Sequence, residues 1–402
     1  MKILYVGHTY TVRANHPKIA ALARAMPDAK ITLVTPHAWR GPLYENKSDL
    51  FDSNLTRNVD HHILRGYFVG REGAYVYGLS LFRLIARLKP DIVHVEQGAY
   101  ALSYSEVLLF LRLVSPHSKA IFFTWWNLPY QARGLKRLSE AFNLKRSSCA
   151  IAGNEAARRL LREHGFSRPI NVLPQLGIDL EQDVSRVTST GETFTVGYAG
   201  RITQEKGVLD LVDAVAAMKN SAVSLSFVGE GEALPEVKRR AAYHGVQLLH
   251  HTAVKNDELP AHLKQMDVLV LPSRTTPHWV EQFGHILLEA MALGIPVIGS
   301  SSGEIPNVIG DAGLIFLEGD VNALADCLTL LATDPTERLL LADAGLKRVA
   351  QHFTHDIIAC EQARIYEWML REGAAVGSLC GTSKPGSTSD GDLALKGLGR
   401  AL

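Results

Sequence analysis

Two glutamates lie eight positions apart in the segment 281–300, EQFGHILLEAMALGIPVIGS, on either side of a Phe-Gly pair. Glu281 precedes the pair, whereas Glu289 lies inside an apolar run, where a carboxylate without a partner is costly to bury. A helix that begins near Gly284 places Glu289 in its second turn and leaves free backbone N–H groups at its start. Sugar hydroxyls can satisfy a buried acceptor in pairs. The spacing indicates a site for a hydroxyl-rich ligand, and a structural helix glutamate explains Glu289 equally well.

Two cations occupy another loop, in the segment 196–218, VGYAGRITQEKGVLDLVDAVAAM. Arg201 and Lys206 follow a predicted strand that ends near Gly200, and they precede an amphipathic helix. Ligands of open parallel sheets bind outside the carboxyl ends of the strands. Cations and glycines at a helix N-terminus suit a phosphate group. Surface ion pairs with acidic residues of the same segment are the alternative explanation.

Short β-branched runs alternate with amphipathic stretches through most of the chain, which predicts the strand-helix-strand units of a parallel sheet. In the first half, strands are predicted at 2–6, 31–34, 92–95, 120–124, 149–152 and 170–173. In the second half, they are predicted at 195–200, 224–229, 247–253, 268–273, 295–300 and 313–316. The two series indicate an α/β protein with two doubly wound, Rossmann-like domains of parallel strands.

The length of 402 residues exceeds the usual size of one hydrophobic core. Apolar periodicity is lost around 173–193, which predicts a domain boundary there. The expected divisions are an N-terminal domain at 1–178, a C-terminal domain at 179–355, a terminal helix at 356–372 and a tail at 373–402. The tail is rich in Gly, Ser and Thr and lacks bulky aromatics, so it is expected to be disordered.

The net charge of +1 hides an asymmetry between the two halves of the chain. Residues 1–177 contain 24 Lys and Arg against 12 Asp and Glu, a charge of +12, and the rest contains 18 against 29, a charge of −11. A basic half suits an anionic partner such as a membrane surface or a lipid phosphate, and segregated solvated faces are the alternative. Nucleic acid is not expected, because the basic half contains no recognisable module and no single basic stripe.

The cysteines and the N-terminus indicate the cellular compartment of the protein. The four cysteines are scattered without a C-x-x-C pair, which favours free thiols in a reducing compartment. No apolar run reaches the ~18 residues that a spanning helix needs. The N-terminus MKILYVGHTY lacks the parts of a signal peptide. The protein is therefore expected to be cytoplasmic.

Two stretches of the basic half combine cations with large apolar side chains. The first, 133–146, contains five Lys and Arg around leucines and Phe142, and the second, 66–90, reads GYFVGREGAYVYGLSLFRLIARLKP. Such stretches can rest on an anionic bilayer, at the inner face of the membrane. Core helices with solvated basic faces explain the same pattern.

The run LPSRTTPHWVEQFGHILLEAMALGIPVIGSSSGEIPNVIGDAGLIF, 271–316, resembles the nucleotide-sugar site of the family-4 retaining glycosyltransferases. These enzymes have the GT-B fold, with two facing Rossmann-like domains. Their E-x7-E pattern matches Glu281 and Glu289, and their G-R-x4-K-G pattern matches the loop from Gly200 to Gly207. The resemblance covers nearly all of 195–353, is weaker over 1–180 and does not include the tail.

The resemblance implies a role for each matched residue. Arg201 and Lys206 would bind the donor diphosphate, and Glu289 would hold the ribose hydroxyls. Glu281 would contact the transferred sugar. The remaining donor contacts implied are Gly200, Phe283 and Gly284 in the C-terminal domain, Gly7 after the first strand, and Val254, which lies where the family binds the base through its main chain.

A departure from the family pattern lies in FFTWWNLPY, 122–130, where many members carry a histidine close to the reacting sugar. This chain has Trp126 at that place, followed by Asn127. Asn127 is a candidate contact for the donor sugar or the acceptor. A structural explanation, with Trp125 and Trp126 as partly buried packing residues, accounts for the sequence at least as well. His8, Tyr10 and His16, in or near the first loop, are expected to face the cleft and are further candidates for acceptor contact.

The function implied is transfer of a sugar, with retention of configuration, from a nucleotide diphosphate sugar to a sugar or lipid-linked glycan acceptor. Synthesis of a surface or exported polysaccharide is expected. No metal is expected, since the pairs at 61–62 and 250–251 are adjacent histidines without ligand spacing. The alternatives are a nucleotide-sugar epimerase or a phosphorylase on the same fold, and a non-catalytic sugar-nucleotide-binding protein, which Trp126 motivates.

Overall fold

The computed structural model describes residues 1–39, 47–52, 54–71, 73–180, 193–218, 220, 222–255 and 257–371. The prediction of a disordered tail at 373–402 lies outside the described residues. The strands are β1 (Lys2–Val6), β2 (Lys30–Pro36), β3 (Val59–Leu64), β4 (Ile92–Val95), β5 (Lys119–Thr124), β6 (Cys149–Ala152), β7 (Ile170–Val172), β8 (Phe194–Ala199), β9 (Val223–Val228), β10 (Gln247–His251), β11 (Val268–Leu271), β12 (Val297–Ser300) and β13 (Leu314–Phe316).

The helices alternate with these strands. They are α1 (His16–Ala25), α2 (Leu79–Leu88), α3 (Leu102–Val114), α4 (Leu135–Arg146), α5 (Glu155–Glu163), α6 (Val208–Ala217), α7 (Leu234–His244), α8 (Leu259–Leu263), α9 (His285–Ala292), α10 (Ile305–Ile309), α11 (Val321–Thr333), α12 (Pro335–His352) and α13 (His355–Arg371). None of the helices in the described part of the chain is long and apolar enough to cross a membrane.

The first sheet has seven parallel strands in the order β3-β2-β1-β4-β5-β6-β7. β1 lies between β2 and β4. Its side chains alternate between two cores, since Ile3 and Tyr5 enter one core and Leu4 and Val6 enter the other. A strand that is buried on both faces needs a continuous apolar run, which explains the KILYV sequence of β1.

The second sheet has six parallel strands in the order β10-β9-β8-β11-β12-β13. The strand order reverses between β8 and β11, as it does between β1 and β4 in the first sheet. A crevice opens outside the carboxyl ends of the strands at such a switch point, and open α/β sheets bind their ligands there. The predicted architecture of two doubly wound parallel sheets is confirmed.

The sequence prediction misses β3. Its sequence, VDHHIL, has polar residues at three consecutive positions, and the strand is exposed or half-buried throughout. β3 lies at the edge of the first sheet and pairs with β2 alone. An edge strand does not need the apolar run that marks a central strand. The predicted strands at 247–253 and 268–273 are also two residues too long, because β10 ends at His251 and β11 ends at Leu271.

The terminal helix α13 returns to the first sheet. Its Tyr366 lies in the same core as Tyr5 of β1 and packs beside α1. The two segments that cross between the sheets touch each other, because Ile178 N donates to Phe353 O at 2.9 Å. The domain limits at 178 and 355 stay predictions.

A buried ion pair supports the first sheet beneath its switch point. Lys18 Nζ lies 2.8 Å from Glu96 Oε1, and both side chains are almost completely buried. Tyr10 OH donates to the same oxygen at 2.7 Å. Burial by itself raises the pKa of Glu96, but the Lys18 ammonium and the hydrogen bonds outweigh it and lower the pKa to about 2. The ion pair therefore holds the loop after β1 in place through the bond from Tyr10 to Glu96.

Candidate functional site

Two loops of the second sheet meet at its switch point. One follows β8 and the other follows β11. Gly207 has a φ of 65°, and a Cβ atom there would lie 1.9 Å from Pro272 O. Arg274 N also donates to Glu205 O at 2.8 Å. Glycine is needed at 207 because a side chain would push the two loops apart.

Lys206 and Glu281 are brought into direct contact by these loops. Lys206 Nζ lies 2.6 Å from Glu281 Oε2, and the two side chains are 14% and 9% exposed. Ser273 Oγ donates to the same carboxylate oxygen at 2.9 Å. The Lys206 ammonium also lies 4.8 Å from the centre of the Trp279 ring, which is a favourable cation–π geometry. The crevice thus has a cation and an anion on its floor.

Arg201 differs from Lys206 in its surroundings. Arg201 is exposed, and its guanidinium makes no hydrogen bond or ion pair with any residue that the structure describes. The sequence offers two acidic residues as surface partners, Glu205 and Asp210. Asp210 is held instead by Arg274, through bonds of 2.5 and 2.6 Å. Among the described residues Glu205 pairs with neither cation, and Lys206 pairs with Glu281. The alternative of surface ion pairs with Glu205 or Asp210 is therefore wrong, and Arg201 is exposed to solvent.

Glu289 lies on α9, the helix that begins after Gly284. Gly284 has a φ of 82°, and a Cβ atom there would lie 2.8 Å from a methyl group of Leu271, so this turn also favours glycine. Within the described part of the chain, the Glu289 carboxylate has no hydrogen bond and no ion pair. Burial raises its pKa to about 7. A half-buried carboxylate without a donor can accept hydrogen bonds from the hydroxyls of a ligand.

Two asparagines that follow strands of the first sheet donate to the backbone at Glu281 and Gln282. Asn127 Nδ2 donates to Glu281 O at 3.4 Å. Asn154 Nδ2 donates to Gln282 O at 3.0 Å and to Trp125 O at 3.2 Å. Asn127 is a residue predicted from the sequence, and Asn154 is not. The signal for Asn154 was its place between a buried strand and a helix, because it caps α5 by accepting from Ala157 N.

The two tryptophans after β5 have different environments. Trp125 packs against Phe283 with ring centres 5.4 Å apart, and its Nε1 donates to Gln175 Oε1 at 2.7 Å. Trp126 is 40% exposed. The packing explanation therefore holds for Trp125, and Trp126 presents its ring to solvent.

The structure contradicts two predictions for the loop after β1, those for Tyr10 and His16. His16 is fully buried, and its Nε2 lies 3.0 Å from Tyr10 O. Tyr10 is fully buried against Glu96. The prediction that these two residues face the cleft is wrong, because α1 begins at His16 and packs the loop into the core. Gly7 lies directly above this packing, where a Cβ atom would come within 3.2 Å of the Tyr10 ring.

His8 and Val254 remain candidates. His8 is half-buried, its ring lies 4.1 Å from that of Trp39, and burial lowers its pKa to about 4, so the imidazole is neutral at pH 7. Val254 is half-buried and lies three residues beyond β10. Their proposed contacts with acceptor and base stay predictions. Catalysis without a metal also stays a prediction.

A family model described as glycosyl transferases group 1 matches residues 193–334. The capsular polysaccharide biosynthesis glycosyltransferase CapM of Staphylococcus aureus is 30% identical over 186 residues, which cover 45% of this chain and 48% of that protein. The GDP-mannose-dependent alpha-(1-6)-phosphatidylinositol monomannoside mannosyltransferase of Mycobacterium tuberculosis is 26% identical over 268 residues, which cover 62% of this chain and 68% of that protein. The match with CapM thus spans about half of that relative.

The fold is shared with solved structures. The HepE protein of Anabaena, in complex with UDP, superposes with a TM-score of 0.67 at 16% identity, over 92% of this chain and 100% of that chain. A glycosyltransferase of Rickettsia africae superposes with a TM-score of 0.68 at 17% identity, over 92% of this chain and 98% of that chain. The fold is that of the GT-B glycosyltransferases. Together with the family-model match at 193–334, these similarities support a glycosyltransferase enzyme.

Proposed function

We propose that this chain is a family-4 retaining glycosyltransferase that moves a sugar from a nucleotide diphosphate sugar to an acceptor hydroxyl. One observation carries the proposal. Lys206 and Glu281 contact each other at 2.6 Å on the floor of the switch-point crevice. Two further groups have no partner among the described residues: the Arg201 guanidinium in the loop after β8 and the Glu289 carboxylate on α9. Cations suit a diphosphate and carboxylates suit hydroxyls.

The leaving group explains the need for the cations. When the bond between sugar and diphosphate breaks, negative charge grows on the diphosphate. Arg201 and Lys206 stabilise that charge more strongly than the charge of the bound donor, which lowers the barrier. Lys206 must exchange the Glu281 oxygen for phosphate oxygens during binding.

The carboxylates hold the rest of the donor. Glu289 accepts the ribose hydroxyls, and the carboxylate of Glu281, released from Lys206, accepts hydroxyls of the sugar beside Phe283 and Gly284. The sugar gains oxocarbenium character as the diphosphate leaves. A donor phosphate oxygen takes the proton of the acceptor hydroxyl on the same face, so the configuration is retained without a protein nucleophile and without a metal.

The two domains divide the substrates. The donor binds the domain at 179–355, and the acceptor, a sugar or lipid-linked glycan of a surface polysaccharide or glycolipid, binds the domain at 1–178. Leu135 and Leu138 of α4 are 65% and 69% exposed among exposed basic residues. This surface gives the enzyme a peripheral contact with an anionic membrane.

The test is a screen of UDP-, GDP- and ADP-sugars by thermal shift, followed by transfer assays with the donor that stabilises the chain. Removal of one transition-state contact commonly lowers kcat by about 10²- to 10³-fold, which is the loss expected for Lys206→Ala. Lys238→Ala, at an exposed site on α7, is the matched control and keeps the parent rate. If Lys206→Ala transfers sugar at the parent rate, the assignment of Lys206 to the donor diphosphate is wrong.

Incubation of the donor alone separates the other candidate functions. An epimerase converts the donor without an acceptor, and a phosphorylase needs phosphate and a glycan. A non-catalytic binding protein, which Trp126 in place of histidine motivates, binds the donor and shows no turnover with water or with any acceptor.

A further inference from the structure

A hollow lined by aromatic rings lies beside β4 and β5, at their carboxyl ends. Tyr130 is at its centre, with ring centres 5.5 Å from Tyr100, 6.1 Å from Trp126 and 4.4 Å from His164. Thr124, the last residue of β5, also lines it. We call this group the aromatic hollow. The site described above uses none of its rings.

A buried carboxylate holds two of these rings in place. Glu140 Oε1 accepts from His164 Nδ1 at 2.9 Å and from the Tyr130 hydroxyl. The Glu140 side chain is 9% exposed. Its other oxygen, Oε2, and His164 Nε2 make no hydrogen bond with any described residue. The hollow therefore combines fixed aromatic rings with a histidine nitrogen that can still form a hydrogen bond.

Trp126 is the exposed wall of the hollow. An indole that is 40% exposed keeps much of its apolar face in water, where burial by a ligand is favourable. The next residue, Asn127, donates to Glu281 O at 3.4 Å. The hollow is therefore adjacent to the crevice in which the donor sugar is proposed to lie.

We propose that the aromatic hollow is a subsite for a pyranose ring of the acceptor glycan. A pyranose presents an apolar C–H face, which stacks on the exposed ring of Trp126, and a rim of hydroxyls, one of which bonds to His164 Nε2. A lipid chain has no hydroxyls and would leave the polar groups of the hollow without hydrogen bonds. The assignment rests on the proposed function, because it names the acceptor side of that transfer.

The experiment measures sugar binding to the full chain by saturation-transfer NMR, with methyl glucoside, methyl galactoside and methyl mannoside at millimolar concentrations. Each is measured with and without UDP or GDP. At least one pyranoside is expected to bind the parent protein through the C–H protons of one face. Trp126→Ala is expected to weaken that binding about 3- to 10-fold, and Trp126→Phe to restore most of it.

Tyr243→Ala is the matched control, since Tyr243 is an aromatic residue on α7 that is 80% exposed and lies outside the hollow. Its pyranoside binding remains at the parent value. Calorimetry of UDP and GDP separates the two proposals, because Trp126→Ala leaves nucleotide binding unchanged if the hollow serves the acceptor. Equal pyranoside binding in parent and Trp126→Ala overturns the subsite, as does absence of pyranoside binding by a parent protein that binds nucleotide. Absence of nucleotide binding instead overturns the proposed function.

Discussion

Lys206 Nζ lies 2.6 Å from Glu281 Oε2, although the two residues are 75 positions apart in the chain. Each charge neutralises the other in a crevice that excludes much of the solvent. Ser273 donates to the same oxygen of Glu281, so the carboxylate keeps one donor when Lys206 turns toward a ligand. The contact thus stabilises the free protein and still allows the cation to be released.

The first prediction concerns this ion pair. Lys206→Met leaves Glu281 as a buried carboxylate without its cation, and the free energy of unfolding is expected to fall by about 1–3 kcal/mol. Adding Glu281→Gln recovers part of the loss, because the unpaired charge is removed. Urea unfolding of the two single variants and the double variant gives the coupling energy, which is expected to be about 1 kcal/mol or more. Additive losses would contradict a direct interaction.

The second prediction concerns the pH dependence of stability. Burial raises the pKa of Glu289 to about 7, from an ordinary value of 4.5. Between these two values the unfolded chain has released its proton and the folded chain keeps it. The free energy of unfolding therefore falls as the pH rises through this window and levels off above the folded pKa.

Glu289→Gln isolates that contribution, since glutamine keeps the shape and does not titrate. Between about pH 5 and pH 8, the parent is expected to lose about 2–3 kcal/mol of unfolding free energy relative to the variant. Urea unfolding at both pH values measures it. A constant difference between the two proteins would show that the Glu289 pKa is close to its ordinary value.

The third prediction concerns the approach of the two crevice loops. Gly207 and Gly245 have nearly equal φ angles of 65° and 69°, but a Cβ atom at 207 meets Pro272 O at 1.9 Å, whereas a Cβ atom at 245 meets nothing within 4 Å. Gly245→Ala is expected to lower the unfolding free energy by about 1 kcal/mol through backbone strain alone. Gly207→Ala is expected to lower it by about 2 kcal/mol more.

Donor binding separates these two glycine variants further. Gly207→Ala displaces the loop that carries Lys206, so calorimetry should show loss of nucleotide-sugar binding. Gly245→Ala leaves the crevice intact and should bind as the parent does. Equal stability and equal binding in the two variants would mean that the close approach of Gly207 to Pro272 is not needed.

The fourth prediction concerns the contact between the two sheets through Asn154. Asn154→Asp keeps an oxygen that caps α5 and loses the N–H group that bonds to Gln282 O, whereas Asn154→Ala loses both. Stability should fall by about 1 kcal/mol in the alanine variant. It should fall further in the aspartate variant, because a buried carboxylate oxygen would then face the carbonyl oxygens of Gln282 and Trp125. Both should raise the KM for the donor, because the loop that carries Glu281 loses a support. An unchanged KM in both variants would restrict Asn154 to its capping role.

The sequence by itself predicted much of this protein from local patterns. Central strands such as β1 are buried on both faces, so their apolar runs are visible without the fold. The spacing of Glu281 and Glu289 and the Gly-Arg-Lys pattern also singled out two segments that the structure brings into contact through Lys206 and Glu281. The edge strand β3 was missed, because a strand with one neighbour and partial exposure has no such run.

Only the tertiary structure decided which partner each charge has. Sequence spacing allowed Asp210 to pair with Arg201 or Lys206, but the fold brings Arg274 to Asp210 and Glu281 to Lys206. It also buried His16, which the sequence placed at the cleft, and it packed Trp125 against Phe283 while leaving Trp126 40% exposed. Burial and pairing depend on segments far apart in the chain that meet at the ends of parallel strands, and local sequence does not contain that information.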